Sequence, residues 1–406
     1  MSGAHGGHDG QLRLPAASRR ALAITIAIAA VLTIVGLIAL RPVGGDRADD
    51  FDETGFPAVA HDGVLVGIRN CPGADPLDCQ LVDVRMAAGP DEGEVITVRE
   101  LTVDDLVLDA RIGERLVLSY EPNPDLPREF QYRLIDRARK PVLVWLAVAF
   151  GAAVLALGRW RGVSALLGLG TSLIVLIIFT VPAIVDGRPP VLVAAVSASA
   201  IAFAALYLTH GIGPMSTVAL LGTLGALLLA LGAGWAAVEL AQFSGLASDS
   251  AVFIRVLGPD IDLRGLLLAG LVIGALGAID DVTVTQASVV FELKASNPAA
   301  AVSDLVRSGL RVGRDHIAST VNTLALAYAG AALPLAILLV EADQSLGTVA
   351  NAEVVAVEIV RTLVGGMALV AAVPLTTWLA AVVATDTAAR EAPDDFDDLR
   401  RALDDD

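Results

Sequence analysis

Basic residues are scarce in this sequence of 406 residues: 28 Lys and Arg stand against 45 Asp and Glu, which gives a formal net charge of −17. The acidic residues crowd into residues 46–126 and 391–406. A protein that binds nucleic acid needs a basic patch to neutralise the phosphates. The shortage of basic charge therefore argues against a nucleic-acid partner.

Cysteine is scarcer still, because Cys71 and Cys79 are the only two in the chain. They flank the turn-rich loop PGADPLD, in a region that we expect to lie outside the cytoplasm. Cysteines in an oxidising compartment usually form a disulfide, so we predict a Cys71–Cys79 bridge, with two free thiols as the alternative. His61 is the only histidine nearby, which leaves a metal site without a ligand set.

The motifs of common enzymes are absent. The sequence has no phosphate loop, no dinucleotide-binding glycine motif, no HExxH and no convincing catalytic cysteine. An intramembrane hydrolase would also need a nucleophile and a base, and neither is recognisable. The acidic segments GDRADD and DFDDLRRALDDD read as solvated segments rather than metal sites. We therefore expect no enzymatic activity, no cofactor and no bound metal.

Apolar residues, by contrast, make up 55% of the chain. They recur in runs of about 20 residues, the length that crosses a hydrocarbon core of ~30 Å. The pattern predicts a mainly α-helical polytopic membrane protein with about eight transmembrane helices. The predicted spans are 21–40, 142–158, 163–185, 191–208, 218–238, 266–290, 318–340 and 362–384.

The basic residues that are present indicate the topology. The first apolar run follows arginines within residues 13–20, exceeds a signal peptide in length and has no small-residue cleavage site after it, so it predicts an uncleaved anchor. Basic clusters at 159–161, 294–314 and 390–401 then fall on the same side, which the positive-inside rule makes the cytoplasm. The cluster at 137–140 falls on the other side. We expect both termini in the cytoplasm, at a bacterial plasma membrane.

Residues 41–140 have a different character. Short β-rich runs such as GVLVGIR at 63–69 and EVITVRE at 94–100 alternate with turn clusters. They predict a small β-domain, a sandwich or a partly open barrel, outside the cytoplasm between the first two spans. The predicted organisation is a cytoplasmic tail (1–20), a transmembrane anchor (21–40), the β-domain (41–140), a seven-helix membrane bundle (141–388) and an acidic cytoplasmic tail (389–406).

Acidic residues inside the sixth span, GALGAIDDVTVTQASVVFEL, are the first candidate site. At 100° per residue, three glycines and four polar residues share a stripe about 80° wide, and Asp280 lies about 100° away from it. Small residues let another helix approach closely, and a membrane carboxylate must be paired, hydrated or protonated. The stripe thus predicts an ion or proton site facing the bundle interior; the alternative is a packing stripe. Its members are Gly270, Gly274, Gly277, Asp281, Thr285, Ser288 and Glu292.

The seventh span begins with RDHIASTVNTLALAYAG, at a similar depth to Asp281. A histidine has its ordinary pKa near neutral pH, so Asp281 and His316 form a candidate proton-exchange pair. The alternative is a histidine solvated at the membrane surface. Asp315 also belongs to the candidate ion or proton site, while supporting polar residues, which more often bond neighbouring helices than bind ligands, are Thr320, Asn322 and Thr323.

These segments, together with the later VPLTTWLAA, resemble the YibE/F family of bacterial multi-pass membrane proteins over nearly the whole chain. The family's acid, two small hydroxyls and glutamate correspond to Asp281, Thr285, Ser288 and Glu292, with Thr285 where serine is expected. The resemblance implies the fold more than the activity. A second motif of the family corresponds to Gly313, Arg314, Asp315, Thr320, Asn322 and Thr323.

The order of anchor, exported domain and acid-bearing bundle is also similar, more faintly, to the SecD/SecF-type proton-driven export auxiliaries. That likeness of fold implies that protonation of a membrane carboxylate moves the outer domain. We therefore expect a proton- or cation-coupled secondary transporter or exporter of an unknown small molecule or ion. The alternative is a non-transporting scaffold or accessory protein that presents its β-domain to an extracytoplasmic protein partner.

Overall fold

The computed structural model describes residues 16–43, 59–71, 80–100, 111–122, 126–257, 261–341 and 345–388. The predicted tails 1–20 and 389–406 lie outside these ranges, apart from residues 16–20. The chain forms two compact units, one of residues 44–159 and one of residues 1–43 with 160–406. The first unit carries an antiparallel sheet, and the second is helical.

Helices dominate the described ranges. Residues Val175–Thr180 form a π-helical segment that joins α2 directly to α3. In chain order the helices are α1 (Ala16–Ala39), α2 (Lys140–Ile174), α3 (Val181–Val185), α4 (Pro190–His210), α5 (Pro214–Leu240), α6 (Asp249–Leu257), α7 (Leu263–Ser296), α8 (Val302–Ala331), α9 (Leu333–Glu341), α10 (Leu346–Asn351) and α11 (Glu353–Ala388).

Six helical segments within the described residues are long and apolar enough to cross a membrane. Large apolar side chains such as Leu32, Leu228 and Leu363 are more than half exposed on their surfaces. Such side chains are expected to face lipid, so the chain is a membrane protein. The six segments are Arg20–Ala39, Lys140–Val185, Pro190–His210, Pro214–Leu240, Leu263–Ser296 and Glu353–Thr385.

The structure differs in one place from the eight predicted spans. The spans 142–158 and 163–185 lie in two helices that meet at a kink within the segment Lys140–Val185, where the backbone leaves helical geometry at Arg159 (φ 51°, ψ −127°). The span 318–340 is divided between α8 and α9, because the helix is interrupted at residue 332. Pro334 lacks the amide hydrogen that would continue the ladder across this break.

Local sequence explains several helix ends. Pro190 and Pro214 occupy the first positions of α4 and α5, where a missing amide hydrogen costs nothing. Gly211 ends α4 with φ 75°, a left-handed conformation that favours glycine.

The bundle is built around three mutually packed helices, α5, α7 and α11, with α4 against α7 and α8 against both α7 and α11. Small and hydroxyl side chains allow the close approach. Gly222 of α5 packs on Thr376 of α11, and Thr223 of α5 shares a 2.7 Å hydrogen bond with Thr283 of α7, both side chains being fully buried. These contacts fix α7, which carries the candidate site.

Within the described ranges the sheet has five antiparallel strands, in the order β3-β2-β1-β4-β5. One face buries an apolar cluster that includes Leu65, Val84 and Leu118, as alternating strands predict. The outer strands β3 and β5 also contact each other, so the sheet curls towards the predicted partly open barrel. The strands are β1 (Val59–Asn70), β2 (Gln80–Met86), β3 (Val95–Glu100), β4 (Arg115–Tyr120) and β5 (Tyr132–Arg137).

Two side-chain interactions bear on the predictions for this unit. Cys71, directly after β1, is buried and disulfide-bonded, but Cys79 lies outside the described residues, so the Cys71–Cys79 pairing stays a prediction. Arg69 donates two hydrogen bonds to Asp83, at 2.9 and 2.7 Å, across β1 and β2. The hydrogen bond from Arg69 lowers the pKa of the Asp83 carboxyl below its ordinary value.

Candidate functional site

The stripe that the sequence predicts on α7 is the exposed face of that helix. Every other residue between 265 and 294 is buried or half-buried against neighbouring helices. The stripe is therefore the face of α7 that the neighbouring described helices leave largely uncovered. Of its members, Thr285 is half-buried and the exposed ones are Gly270, Gly274, Gly277, Asp281, Ser288 and Glu292.

The expectation that Asp281 faces the bundle interior is wrong, because its side chain is 68% exposed. The reason lies in how α8 docks. Gly309 and Gly313 of α8 pack against Val290 and Gln286 of α7 and against side chains of α11. Helix α8 thus fills the space between α7 and α11 and leaves the stripe uncovered.

The predicted partners Asp281 and His316 do lie together. Oδ2 of Asp281 is 3.8 Å from Nε2 of His316, whose side chain is one-third exposed. This Nε2 atom is itself buried and has no hydrogen-bond partner among the described residues. The pair attracts electrostatically only when the imidazole is protonated, so the contact depends on the number of protons bound.

Asp280, which lies off the stripe, is the more buried of the two adjacent acids. Its Oδ1 atom is fully buried without a hydrogen-bond partner among the described residues. A buried carboxylate without donors is costly as an anion, and the neighbouring charge of Asp281 adds to that cost. The site thus consists of an exposed acid facing a histidine and a second acid held away from solvent.

The other predicted polar residues of α8 do not join this site. Thr320 donates its hydroxyl to the carbonyl of His316 at 3.0 Å, and Thr323 donates to Ser319 at 3.0 Å, so both bonds stay within α8. The remaining three residues, which are exposed on α8, are Arg314, Asp315 and Asn322.

The exposed stripe continues to the end of α7. Ser288 and Glu292 line an open cavity of about 570 Å³ there. Beyond them Lys294 is 3% exposed and donates from Nζ to the carbonyl of Ala300 at 2.9 Å. Lys294 therefore ties the turn between α7 and α8, rather than lying free in a cytoplasmic loop as its charge suggests.

Of the three glycines predicted to allow close packing, Gly274 is approached closely. A Cβ at Gly274 would lie 2.9 Å from Oη of Tyr328, one at Gly270 would lie 4.0 Å from a guanidinium nitrogen of Arg361, and one at Gly277 would meet nothing within 4 Å. The glycine half of the stripe therefore runs beside Tyr328 and Arg361.

Sequence reasoning missed three polar residues. Gln286 is 1% exposed and donates from Nε2 to the carbonyl of Gly309 at 2.7 Å. Glu358 and Arg361 form a 2.5 Å ion pair within α11, just before the predicted span 362–384. An isolated amide in an apolar helix, and opposite charges three residues apart at the edge of another, are the signals that could have found them.

Among the described residues, no group of three or more His, Cys, Asp or Glu side chains is placed to hold a metal ion. The candidate site is therefore assembled from two carboxylates and one imidazole, which can exchange protons but do not complete a ligand set within the described ranges.

Comparison with known proteins identifies the family. A family model described as YibE/F-like protein matches residues 146–386, more than half of the chain. No curated protein and no solved structure matches the chain. None of these comparisons shows the likeness to SecD and SecF. The match does confirm the resemblance carried by the sixth and seventh predicted spans, and the chain belongs to the YibE/F-like family.

Proposed function

We propose that this protein is a proton- or cation-coupled secondary transporter or exporter of a bacterial plasma membrane, with no catalytic activity. The observation that carries the proposal is the contact between Asp281 of α7 and His316 of α8. An intramembrane acid whose side chain is 68% exposed needs water around it when it is charged. We therefore infer that the exposed stripe of α7 lines a water-filled groove, which a transport pathway requires.

Proton binding at this pair changes the interaction between the two helices. An imidazolium at His316 attracts the Asp281 carboxylate, whereas neutral imidazole or a protonated carboxyl removes that attraction. Asp280 supplies a second carboxylate about 100° around α7, whose Oδ1 atom is buried. The protonation state of the site therefore biases how closely α8 lies against the stripe of α7.

The proposed topology has eight spans with both termini in the cytoplasm. The helical segment Lys140–Val185 has 46 residues, about 69 Å at 1.5 Å per residue, which is more than twice a hydrocarbon core of ~30 Å. The break at Arg159 divides it into the two spans expected from the sequence. Helices α8 and α9 together supply the remaining span.

A solute screen in proteoliposomes tests the proposal. Purified protein is reconstituted, a pH gradient is imposed, and uptake of a panel of amino acids, organic acids, metal ions and cationic dyes is measured. Wild type should move at least one solute in a gradient-dependent manner, and Asp281→Asn should move none. The control Asp304→Asn removes the same charge from an exposed position in the first turn of α8, twelve residues before His316, and should behave as wild type.

Two outcomes contradict the proposal: gradient-driven uptake that survives in Asp281→Asn, or no uptake of any solute by wild type. Either one favours the scaffold function, in which the β-domain binds an extracytoplasmic protein and the acids serve helix packing. In that case capture of a periplasmic or extracellular protein by the chain should be independent of Asp281.

A further inference from the structure

An open cavity of about 540 Å³ lies at the surface of the helical unit, between residues 245–251, the first half of α7, the end of α8, α9 and the start of α11. Most of its wall is apolar, with leucine, valine and alanine side chains such as Leu267, Leu335 and Val357. Concave, mainly apolar cavities of this size with a few polar groups are typical of small-molecule sites.

The charged groups in this wall are a carboxylate and a guanidinium. Glu358 and Arg361 both line the cavity, with about a quarter of each side chain exposed. One guanidinium nitrogen donates to Oε1 of Glu358 at 2.5 Å, and the guanidinium carbon lies 5.9 Å from the ring centroid of Tyr328. Among the described residues this bond to Glu358 is the only hydrogen bond that the Arg361 guanidinium makes.

Arg361 therefore presents unused N–H donors, and Glu358 presents an unused carboxylate oxygen, to a cavity that is otherwise largely apolar. Polar atoms in such surroundings need partners. A ligand with one charge would lie beside a like charge from the pair, whereas a ligand with both charges matches both.

We propose that this cavity binds a small zwitterion with an apolar body, namely an apolar α-amino acid. Its carboxylate accepts hydrogen bonds from Arg361, its ammonium donates to Glu358, and its side chain lies on the leucine and valine wall. The site does not depend on the proposed transport activity. Asp281 is eleven residues beyond Gly270, the neighbour of Arg361, which is about 16 Å along α7.

Calorimetric titration of the full chain tests this inference. The protein is held in nanodiscs of phosphatidylglycerol, whose headgroup has no ammonium and so does not compete. The probes are alanine, valine, leucine, methionine and phenylalanine. For the best of them, the matching analogues that lack the ammonium or the carboxylate are titrated as well; for leucine these are 4-methylpentanoate and 3-methylbutylamine.

At least one amino acid should bind, and each single-charge analogue should bind at least about tenfold more weakly, since a lost charged hydrogen bond has that effect. Arg361→Gln and Glu358→Gln should weaken binding of the amino acid by a similar factor. Arg264→Gln is the matched control, because Arg264 is an exposed arginine at the start of α7 outside the cavity, and it should bind as wild type.

A variant that loses binding must elute as the same monodisperse species as wild type in size-exclusion chromatography. Arg361→Lys, which keeps the charge, provides a second variant if Arg361→Gln does not fold. The proposal is overturned if no amino acid binds, if a single-charge analogue binds as tightly as its parent, or if folded Arg361 and Glu358 variants keep full affinity.

Discussion

Gln286 of α7 donates a hydrogen bond from Nε2 to the carbonyl oxygen of Gly309 in α8, at 2.7 Å. Gly309 and His316 are seven residues apart and so share a face of α8, two turns from each other. The bond therefore fixes the register that brings His316 opposite Asp281. A buried amide on the far side of α7 from the stripe positions the groove that the stripe lines.

Replacement of Gln286 by leucine should destabilise the helical unit. The variant keeps the volume but removes the second donor to the Gly309 carbonyl, which lies inside α8 and keeps its helical hydrogen bond. Loss of one such hydrogen bond costs about 0.5–1.5 kcal/mol. The apparent Tm in detergent, followed by fluorescence-detected size-exclusion chromatography, should fall. Ser288→Ala, on the exposed stripe of the same helix, should leave it unchanged; equal values for the two variants would argue against this role for Gln286.

Alanine substitutions at two glycines should distinguish a closely packed position from an exposed one. A methyl group at Gly313 would lie 2.6 Å from Cγ1 of Val373 and 2.9 Å from Oε1 of Gln286, so Gly313→Ala should cost about 1–3 kcal/mol by overpacking. Gly277→Ala meets nothing within 4 Å and should be neutral or stabilising by about 0.5–1 kcal/mol. Apparent Tm values in the opposite order would show that α8 docks elsewhere.

The Arg69–Asp83 pair should make the sheet sensitive to acid. The hydrogen bond from Arg69 lowers the pKa of folded Asp83 below the ordinary 3.8. Its stabilisation is therefore complete above about pH 4 and is lost as the pH falls through the lower, folded pKa. Hydrogen exchange of β1 and β2 peptides, corrected for intrinsic rates, should accelerate over that window in wild type.

In Arg69→Gln this acceleration should shrink, because the carboxyl no longer has a lowered pKa. Arg133→Gln removes an exposed arginine from β5 and serves as the control, which should follow wild type. If the exchange profiles of wild type and Arg69→Gln coincide throughout the acid range, the pair does not couple folding to pH.

Topology can be tested at the break in α2 and at the chain end. Cysteine at position 159 should react with a membrane-impermeant maleimide from the cytoplasmic side only, because the eight-span topology places this break in the cytoplasm. A reporter fused after residue 406 should be active only in its cytoplasmic form. If position 159 were labelled from outside, or not at all, the result would instead indicate that the segment Lys140–Val185 crosses the membrane once.

Helical periodicity and depth made much of the site predictable from sequence. The α7 stripe and the Asp281–His316 contact both follow from 100° per residue and from matching distances to the membrane surface. Periodicity does not show which neighbouring helix covers each face of α7. The exposure of Asp281 and the burial of Asp280 both depend on α8 docking through Gly309 and Gly313.

The remaining differences have similar causes. Glu358 and Arg361 lie just before an apolar run, so hydropathy assigns them to a loop, whereas α11 begins at Glu353 and carries both into the bundle. The predicted span 318–340 is a single apolar run in sequence, but Pro334 divides it between two helices. From its charge alone, Lys294 is expected in a cytoplasmic loop. Its ammonium group instead donates a hydrogen bond to the carbonyl of Ala300, and this bond allows the Lys294 side chain to be buried.

The reactivity of a cysteine at position 277 tests the central claim most directly. Gly277 is exposed in the proposed groove, and a Cβ atom added there would meet nothing within 4 Å. Gly277→Cys should react with an impermeant thiosulfonate under non-reducing conditions, at a rate that changes with pH because the charge of the Asp281–His316 pair depends on the protons it binds. Met367→Cys, on an exposed apolar face of α11, should stay unreactive. With Asp281→Asn added, the rate at position 277 should no longer depend on pH beyond the reagent's own chemistry. A position 277 that never reacts, or the same pH dependence with and without Asp281, would contradict a wet, proton-controlled groove.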